Sequence, residues 1–177
     1  MPDAPAIRIQ NLRHYLLARE AAAVLAVGEA AGYQGMRWSG IAFTSERTLA
    51  RWGPPYRPTS LNRKAGWSEP SGTIVHGLLE ELDLEDRVIL WNTVPTHPHH
   101  PDRPLSNRRP TRLEIDQGLE FLERLIAIAE PRTVVAVGRI AEAILGERDA
   151  LYVRHPAQSG ATAFRKGMSA ILAAQTH

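Results

Sequence analysis

Four short apolar segments constrain the fold of this chain more than any other feature of its sequence. Each segment is rich in valine, isoleucine or leucine, and none of them alternates apolar with polar residues. Strands that are covered by helices on both faces have this composition, and such strands belong to parallel sheets. The four segments are AVLAVG (23–28), RVILWN (87–92), TVVAVG (133–138) and LYVRH (151–155).

Helical patterns separate these segments. One predicted helix takes Asn11 as its N-cap, and another opens at Thr111 with Glu114 in a capping box and stops at Pro131. Others are predicted over 72–84, 139–145 and 162–175. Strands that alternate with helices predict a three-layer α/β/α sandwich with a central four-stranded, mainly parallel sheet. The sequence has no internal repeat and no linker, so we expect a single domain over residues 1–177.

Composition narrows the class of protein. Of the 177 residues, 44% are apolar and 23% are charged, as in ordinary globular domains. The chain has no cysteine, which excludes disulfides, thiolate metal sites and cysteine-held iron–sulfur clusters. No apolar run approaches the ~20 residues of a membrane span, and the N-terminus lacks the pattern of a signal peptide. We therefore expect a cytoplasmic protein without a membrane partner.

Polar side chains follow each predicted strand. In open α/β sheets, ligands bind beyond the carboxyl ends of the strands. Glu29, Asn92, Arg139 and His155 all lie at such ends, so we expect them at one edge of the sheet. The glycine-rich turn after the first strand has neither the spacing of a dinucleotide site nor the Gly-Lys-Ser/Thr of a P-loop, so no nucleotide cofactor is predicted.

Four motifs occur at these strand ends or in the loop that follows. They are VGEAAG (27–32), SGIAFTSE (39–46), WNTVP (91–95) and RHPAQSG (154–160). With these motifs the chain resembles the uracil-DNA glycosylase superfamily, from about residue 24 to residue 165. It matches best the bacterial branch whose first motif reads G-E-A-P-G and whose last motif begins His-Pro. The resemblance implies that the protein flips a nucleotide out of DNA and hydrolyses the N-glycosidic bond of deoxyuridine.

The resemblance also implies a role for each matching residue. Phe43 corresponds to the aromatic residue that stacks on the flipped uracil, and Asn92 to the asparagine that reads its edge. His155 corresponds to the histidine that stabilises charge on uracil O2, and Glu29 lies in the motif that holds the attacking water. The other residues expected to bind the base are Gly28, Ala30 and Tyr33. The residues expected to contact DNA are Ser45, Arg108, Arg109, Arg139, Gln158, Ser159 and Arg165, and Arg51, Arg57, Arg63 and Lys64 are further candidates.

Some of these residues have alternative interpretations. Ser45 can cap a helix that starts near Glu46, Arg139 can cap its own helix, and Tyr33 can fill the core. The Pro-rich segment 95–110 fits a metal site, a polar surface loop or a loop that faces DNA. The residues that suggest a metal are His97, His99, His100 and Asp102.

The chain departs from the family pattern at several points. Without cysteines, any activity must be free of an iron–sulfur cluster. Ala30 stands where the best-studied branch has its water-activating aspartate, and Ala31 replaces the proline of G-E-A-P-G. No basic, histidine-bearing insert precedes His155, which argues against covalent trapping of uracil. We expect a monomeric, cofactor-free, monofunctional enzyme that acts on uracil-containing DNA. The alternatives are a protein that binds uracil or abasic sites without turnover, and a hydrolase for a nucleoside or for another base such as hypoxanthine.

Overall fold

The structure is a computed structural model that describes residues 2–60, 64–146 and 148–175. Within these ranges, helices and strands follow one another along the chain. They are α1 (Ala4–Leu17), β1 (Val24–Ala30), α2 (Met36–Ser39), α3 (Glu46–Trp52), α4 (Pro70–Glu81), β2 (Val88–Val94), α5 (Arg112–Ala129), β3 (Thr133–Val137), α6 (Arg139–Leu145), β4 (Leu151–Val153) and α7 (Ala161–Gln175). None of the helices in this part of the chain is long and apolar enough to cross a membrane.

The four strands form one parallel sheet in the order β2-β1-β3-β4. Helices α5, α6 and α7 pack against β2, β3 and β4 respectively, and every residue of β2 is buried. Burial on both faces explains why the segments of β1, β2 and β3 are continuously apolar. The short β4 is buried only at Val153, and Leu151 at its start is exposed. The predicted α/β fold with a four-stranded sheet is confirmed, and the sheet is parallel throughout.

A tyrosine side chain closes the outer edge of β2. The backbone N–H of Leu90 donates to Tyr15 Oη at 2.8 Å, and Tyr15 Oη donates to the carbonyl of Val88 at 3.4 Å. The hydroxyl thereby takes the place of a neighbouring strand for these two residues. Burial of the ring raises the pKa of Tyr15 to about 12, so the hydroxyl keeps the proton that it donates.

The two predicted helix starts had different outcomes. Thr111 caps α5, and Thr111 and Glu114 form both hydrogen bonds of the predicted capping box. The predicted cap at Asn11 is wrong, because α1 begins at Ala4 and Asn11 lies buried in its middle. The Asn11 amide instead holds a distant loop: Nδ2 donates to the carbonyls of Ser39 at 2.9 Å and Arg57 at 2.8 Å. Tertiary partners that no local pattern reveals decide the role of this residue.

Glu46 anchors the long segment between α3 and α4. Its Oε1 accepts hydrogen bonds from the backbone N–H groups of Thr59 at 2.8 Å and Ser60 at 2.7 Å. Its Oε2 accepts from the backbone N–H of Trp67 at 3.1 Å and from the Ser60 hydroxyl. This buried carboxylate therefore replaces the regular hydrogen bonds that an irregular segment lacks.

Candidate active site

The centre of the site is a close approach of three residues at the end of β1. Gly28 pairs in register with Asn92 of β2. A Cβ on Gly28 would lie only 2.6 Å from Asn92 Oδ1 and 2.6 Å from Phe43 Cζ. Any side chain at this position would displace one of the two groups, so glycine is the residue that brings the amide and the aromatic ring together.

Asn92 is buried, and the fold leaves most of the hydrogen-bonding capacity of its amide unused. Its Nδ2 lies 3.5 Å from Met36 Sδ, a weak acceptor. Its Oδ1 makes no hydrogen bond to any residue in the described ranges. The neighbouring Thr93 hydroxyl donates to the Gly28 carbonyl at 3.1 Å, which ties the two strands together beside it. A buried amide with hydrogen-bonding capacity to spare can read the edge of a planar ligand.

Phe43 is held over this site in an unusual backbone conformation. Its φ of 53° lies in the left-handed region, which bulky residues rarely adopt, and its side chain is only 4% exposed. Its ring lies 6.1 Å from the His155 ring at an interplanar angle of 38°. The surrounding structure must enforce this conformation, a feature typical of functional sites.

His155 is a neutral donor whose tautomer follows from its contacts. The backbone N–H of Ala157 donates to His155 Nδ1 at 3.1 Å, so Nδ1 accepts and the ring proton sits on Nε2. Burial and the nearby Arg154 lower the pKa of His155 below its usual value. At neutral pH the ring therefore offers one N–H donor from Nε2, which has no protein partner in the described part of the chain.

A cleft of about 490 Å³ runs beside His155 and contains Glu29. Burial raises the pKa of Glu29 above its usual value, and the charge of Arg109 offsets only part of this rise. The cleft also brings in Asn107, which lies beyond β2 in the Pro-rich segment 95–110. Asn107 Oδ1 accepts from the backbone N–H of Tyr33 at 3.1 Å. Two side chains with hydrogen-bonding capacity thus face the same space as His155.

The structure brings together the four residues that were expected at one edge of the sheet. Glu29, Arg139 and His155 line this one cleft. Asn92 is connected to it by packing, since its Oδ1 and the Phe43 ring meet at Gly28 and the Phe43 ring lies 6.1 Å from the His155 ring. Ala30 is the last residue of β1 and pairs with Val94, so its methyl group supplies no polar function there.

Three residues expected to contact the base or DNA have structural contacts of their own. Tyr33 packs edge-on against Trp67 at 5.9 Å between ring centroids. Ser45 is 3% exposed and caps α3, accepting from the backbone N–H of Thr48 at 3.4 Å. Arg139 pairs with Glu142 at 2.7 Å. Their contacts with base or DNA stay predictions.

The other DNA-contact candidates differ in their contacts and exposure. Arg108 forms a two-bond pair with Glu114 at 2.8 Å, and Arg165 pairs with Glu81. Arg109 is exposed on the side of the cleft that holds Glu29. Gln158 and Ser159, in the loop after His155, are exposed with φ values of 51° and 61°. Arg63, another candidate, lies outside the described residues.

The histidines of segment 95–110 have hydrogen-bond partners of their own. His97 Nε2 lies 2.8 Å from the Ser106 carbonyl and 3.2 Å from Asn107 Oδ1, and the His99 ring is 5.3 Å from the His97 ring. In the described ranges, no group of three or more His, Cys, Asp or Glu residues is arranged to hold a metal ion. This segment instead delivers Asn107 to the cleft.

Sequence reasoning missed two polar residues near this site, Asn107 and Glu69. Asn107 lies fifteen positions beyond Asn92 in a Pro-rich loop, so no strand end points to it. Glu69 directly precedes α4, and its carboxyl group lies against Gly35 of the loop after β1. The only sequence signal for either residue is the unusual length of the loop that carries it.

Comparison with known proteins agrees with this architecture. The family model of the uracil DNA glycosylase superfamily matches residues 16–174 of this chain. Among solved structures, the chain is similar to the crystal structure of wild-type Pedobacter heparinus SMUG2, with a TM-score of 0.66 and 14% identity over 88% of this chain and 77% of that chain. No curated protein sequence matches. At this identity the structural likeness concerns the fold alone, whereas the superfamily match spans most of the chain. The chain belongs to the uracil DNA glycosylase superfamily and is a DNA glycosylase by that membership.

Proposed function

We propose that this protein is a monofunctional uracil-DNA glycosylase that releases uracil from DNA and leaves an abasic site, the first step of base excision repair. The observation that carries the proposal is the convergence of a neutral Nε2–H donor on His155 with the Asn92 amide and the Phe43 ring. One planar base can meet all three groups at once.

Asn92 supplies the choice of base. One amide presents both a donor and an acceptor, which match O4 and N3–H of uracil. Cytosine carries the opposite pattern at the same two positions, so an amide held in one orientation rejects it. Phe43 stacks on the flipped base, and stacking of this kind contributes about 1–3 kcal/mol.

His155 stabilises the leaving group. When the bond between sugar C1′ and uracil N1 breaks, its electron pair passes to the base and negative charge develops on O2. A donor placed in advance in a site sheltered from water stabilises that charge without reorganising. The fixed tautomer of His155 provides such a donor at neutral pH.

Glu29 orients the attacking water. After departure of the base, the sugar is cation-like at C1′, and a water oxygen bonds to that carbon while its proton passes to Glu29 or to solvent. A dissociative reaction needs little activation of the water, so a carboxylate beside Ala30 suffices. No lysine lines the cleft within the described ranges, which supports a glycosylase without a Schiff-base step.

The loop after β4 is the part of the site that contacts the duplex. Gln158 and Ser159 are exposed beside His155 and are the side chains we propose to enter the duplex as the nucleotide flips out. Arg109, Arg139 and Arg165 are proposed to meet phosphates around the cleft. The monomeric state, the cytoplasmic location and the absence of a cofactor stay predictions.

Two alternatives rest on particular observations. Ala30 removes the carboxylate that other members use on water, which favours a protein that holds uracil or an abasic site without turnover. The hydrogen-bonding pattern that Asn92 reads is shared by the 6-oxo and N1–H groups of hypoxanthine, which favours a broader glycosylase.

The test uses a labelled oligonucleotide with one deoxyuridine, incubated with the protein in EDTA and then treated with alkali to cut abasic sites. We expect cleavage by the parent and a loss of tens-fold or more for His155→Ala and Asn92→Ala. Tight retention of the uracil strand without cleavage would establish the binding protein instead. Cleavage of a deoxyinosine strand at a comparable rate would establish the broader enzyme.

A further inference from the structure

Glu69 has a carboxyl oxygen that the fold leaves unsatisfied. The residue as a whole is half-buried, but its Oε2 atom is enclosed and has no hydrogen-bond partner in the described part of the chain. Buried polar atoms in proteins are nearly always paired, because an unpaired one costs free energy. An enclosed carboxyl oxygen without a partner therefore calls for a functional explanation.

This oxygen lies between the loop after β1 and the first turn of α4. On one side it lies against Gly35, where a Cβ would approach it to 1.7 Å. On the other side, Glu69 Oε2 and the Phe43 carbonyl oxygen both lie within 3.5 Å of the point that a Cβ on Gly72 would occupy. Gly35 adjoins Met36, whose sulfur contacts the Asn92 amide at 3.5 Å. Glu69 is thus packed between the segments that carry Met36 and Phe43.

We propose that Glu69 acts as a neutral carboxylic acid that donates a hydrogen bond to O4 of the flipped uracil. This inference rests on the proposed function. A uracil whose O2 meets His155 and whose N3–H meets Asn92 turns O4 away from His155, toward the β2 side of the site. Met36 contacts the Asn92 amide and Gly35 adjoins Met36, so the Glu69 carboxyl group packs beside the segment that borders this amide. An oxo group has two lone pairs, so O4 can accept from Asn92 and from Glu69 together.

The surroundings of Glu69 favour its neutral form. Burial raises the pKa of Glu69 to about 7, and no charged group contributes to that rise. The charged or titratable side chains on the neighbouring helices are Arg37 on α2, Glu46, Arg47 and Arg51 on α3, and His76, Glu80 and Glu81 on α4. None of them contributes to the shift in the pKa of Glu69. Since no cation among the described residues lowers its pKa, the carboxyl group keeps its proton up to neutral pH.

The chemistry benefits from a second acid at this place. As the C1′–N1 bond breaks, its electron pair delocalises through the ring onto O2 and O4, so both oxygens gain negative charge. His155 meets the first oxygen and Glu69 would meet the second. A carboxylic acid kept neutral by burial can serve as such a donor, whereas its ionised form would repel the departing anion. Glu69 keeps its proton throughout, so the products remain uracil and the abasic sugar.

The test measures single-turnover release of uracil from a deoxyuridine duplex between pH 5.5 and 8.5, for the parent, Glu69→Gln and Glu69→Leu. Gln keeps the size and a donor but cannot ionise, while Leu removes both donor and acceptor. At pH 6 we expect Glu69→Leu to lose about 100-fold in rate and Glu69→Gln to lose only a few-fold. As pH rises above about 7, the parent rate should fall about tenfold per unit while Glu69→Gln stays flat. Affinity for a duplex with 2′-fluoro-deoxyuridine, measured by fluorescence anisotropy, should fall for Glu69→Leu by much less than the rate does, because the hydrogen bond to O4 strengthens as charge develops on that oxygen.

The outcomes separate this inference from the function on which it rests. A parent that releases no uracil at any pH overturns both. A parent that releases uracil, beside a Glu69→Leu variant of equal rate at pH 6, overturns the role of Glu69 alone. The same conclusion follows if Glu69→Gln shows the parent's decline above neutral pH. Should Glu69→Leu fail to fold, the comparison of the parent and Glu69→Gln still decides the matter.

Discussion

Two glutamates on either side of one loop, Glu46 and Glu69, are treated in opposite ways by the fold. The carboxylate of Glu46 accepts four hydrogen bonds, and each of its oxygens is used. Glu69 has an enclosed oxygen with no partner in the described residues, and its pKa is raised to about 7. Burial alone therefore does not explain why the two carboxyl groups differ. What differs is whether the protein itself supplies the hydrogen-bond partners.

The same contrast divides the molecule into two kinds of region. Around Glu46, Asn11 and Tyr15, polar side chains are paired with the backbone and tie distant segments together. In His155 and Asn92, by contrast, Nε2 and Oδ1 have no hydrogen-bond partner among the described residues, and His155 lines the cleft. We conclude that the first region stabilises the fold and that the second keeps its polar groups for a ligand.

Replacement of His155 by alanine should give the largest effect on the site with little effect on the fold. Loss of an oxyanion donor lowers the rate of base release by about 100- to 1000-fold, or about 3–4 kcal/mol. The free energy of unfolding should change by only about 1 kcal/mol, because one hydrogen bond from Ala157 is lost. Single-turnover kinetics and urea unfolding measure the two quantities. His14→Ala, on α1 and away from the site, is the matched control and should leave the rate of base release unchanged.

Glu46→Gln should have the reverse profile. The amide cannot accept all the hydrogen bonds that the carboxylate accepts, and its NH₂ group faces a donor. We expect the free energy of unfolding to fall by about 3 kcal/mol, measured by urea unfolding. The rate of base release by the folded protein should stay within a few-fold of the parent. A variant as stable as the parent would contradict the stabilising role of the Glu46 carboxylate.

Glu69→Gln should sharpen the contrast, because it is expected to stabilise the protein at alkaline pH. The folded-state pKa of about 7 exceeds the usual value of 4.5, so folding favours the protonated form. Below pH 4.5 the parent has no disadvantage; its stability is lost as pH rises toward 7, by up to about 3 kcal/mol. Thermal unfolding should therefore show a gain for the variant at pH 8 and none at pH 4. An equal difference at both pH values would contradict the assigned titration.

Thr111→Ala should have the smallest effect of the series. The variant removes the side-chain half of the capping box at the start of α5. We expect a loss of about 1 kcal/mol in the free energy of unfolding and an unchanged rate of base release. Urea unfolding is the measurement, and Thr111→Ser, which keeps the hydroxyl, is the control that should restore stability.

Much of the fold could be predicted because it depends on local patterns. Continuous apolar segments are typical of parallel strands, and the Thr111 and Glu114 spacing predicted a capping box that the structure contains. The position of Glu29, Asn92, Arg139 and His155 at one edge followed from a rule on strand ends. Their proposed roles came from the resemblance of the motifs and are still to be tested.

The features that sequence could not supply depend on contacts between distant residues. Asn11 is a residue type that often caps helices, but its hydrogen-bond partners lie 28 and 46 positions away. Asn107 and Glu69 come from long loops whose course is set by anchors such as Tyr33 and Gly35. No periodicity records such contacts, so residues of this kind are the ones that a structure adds.

The hydroxyl of Tyr15 has a consequence for how this protein behaves at high concentration. An open strand edge is a template on which another chain can add a strand, and such addition leads to aggregation. At β2 part of that template, the Leu90 N–H and the Val88 carbonyl, is already occupied by a single oxygen atom that both donates and accepts. At the opposite margin of the sheet, β4 is only three residues long and offers little length to pair with. Both margins therefore offer fewer free backbone groups for lateral growth of the sheet, at β2 because a side chain occupies two of them and at β4 because the strand is short.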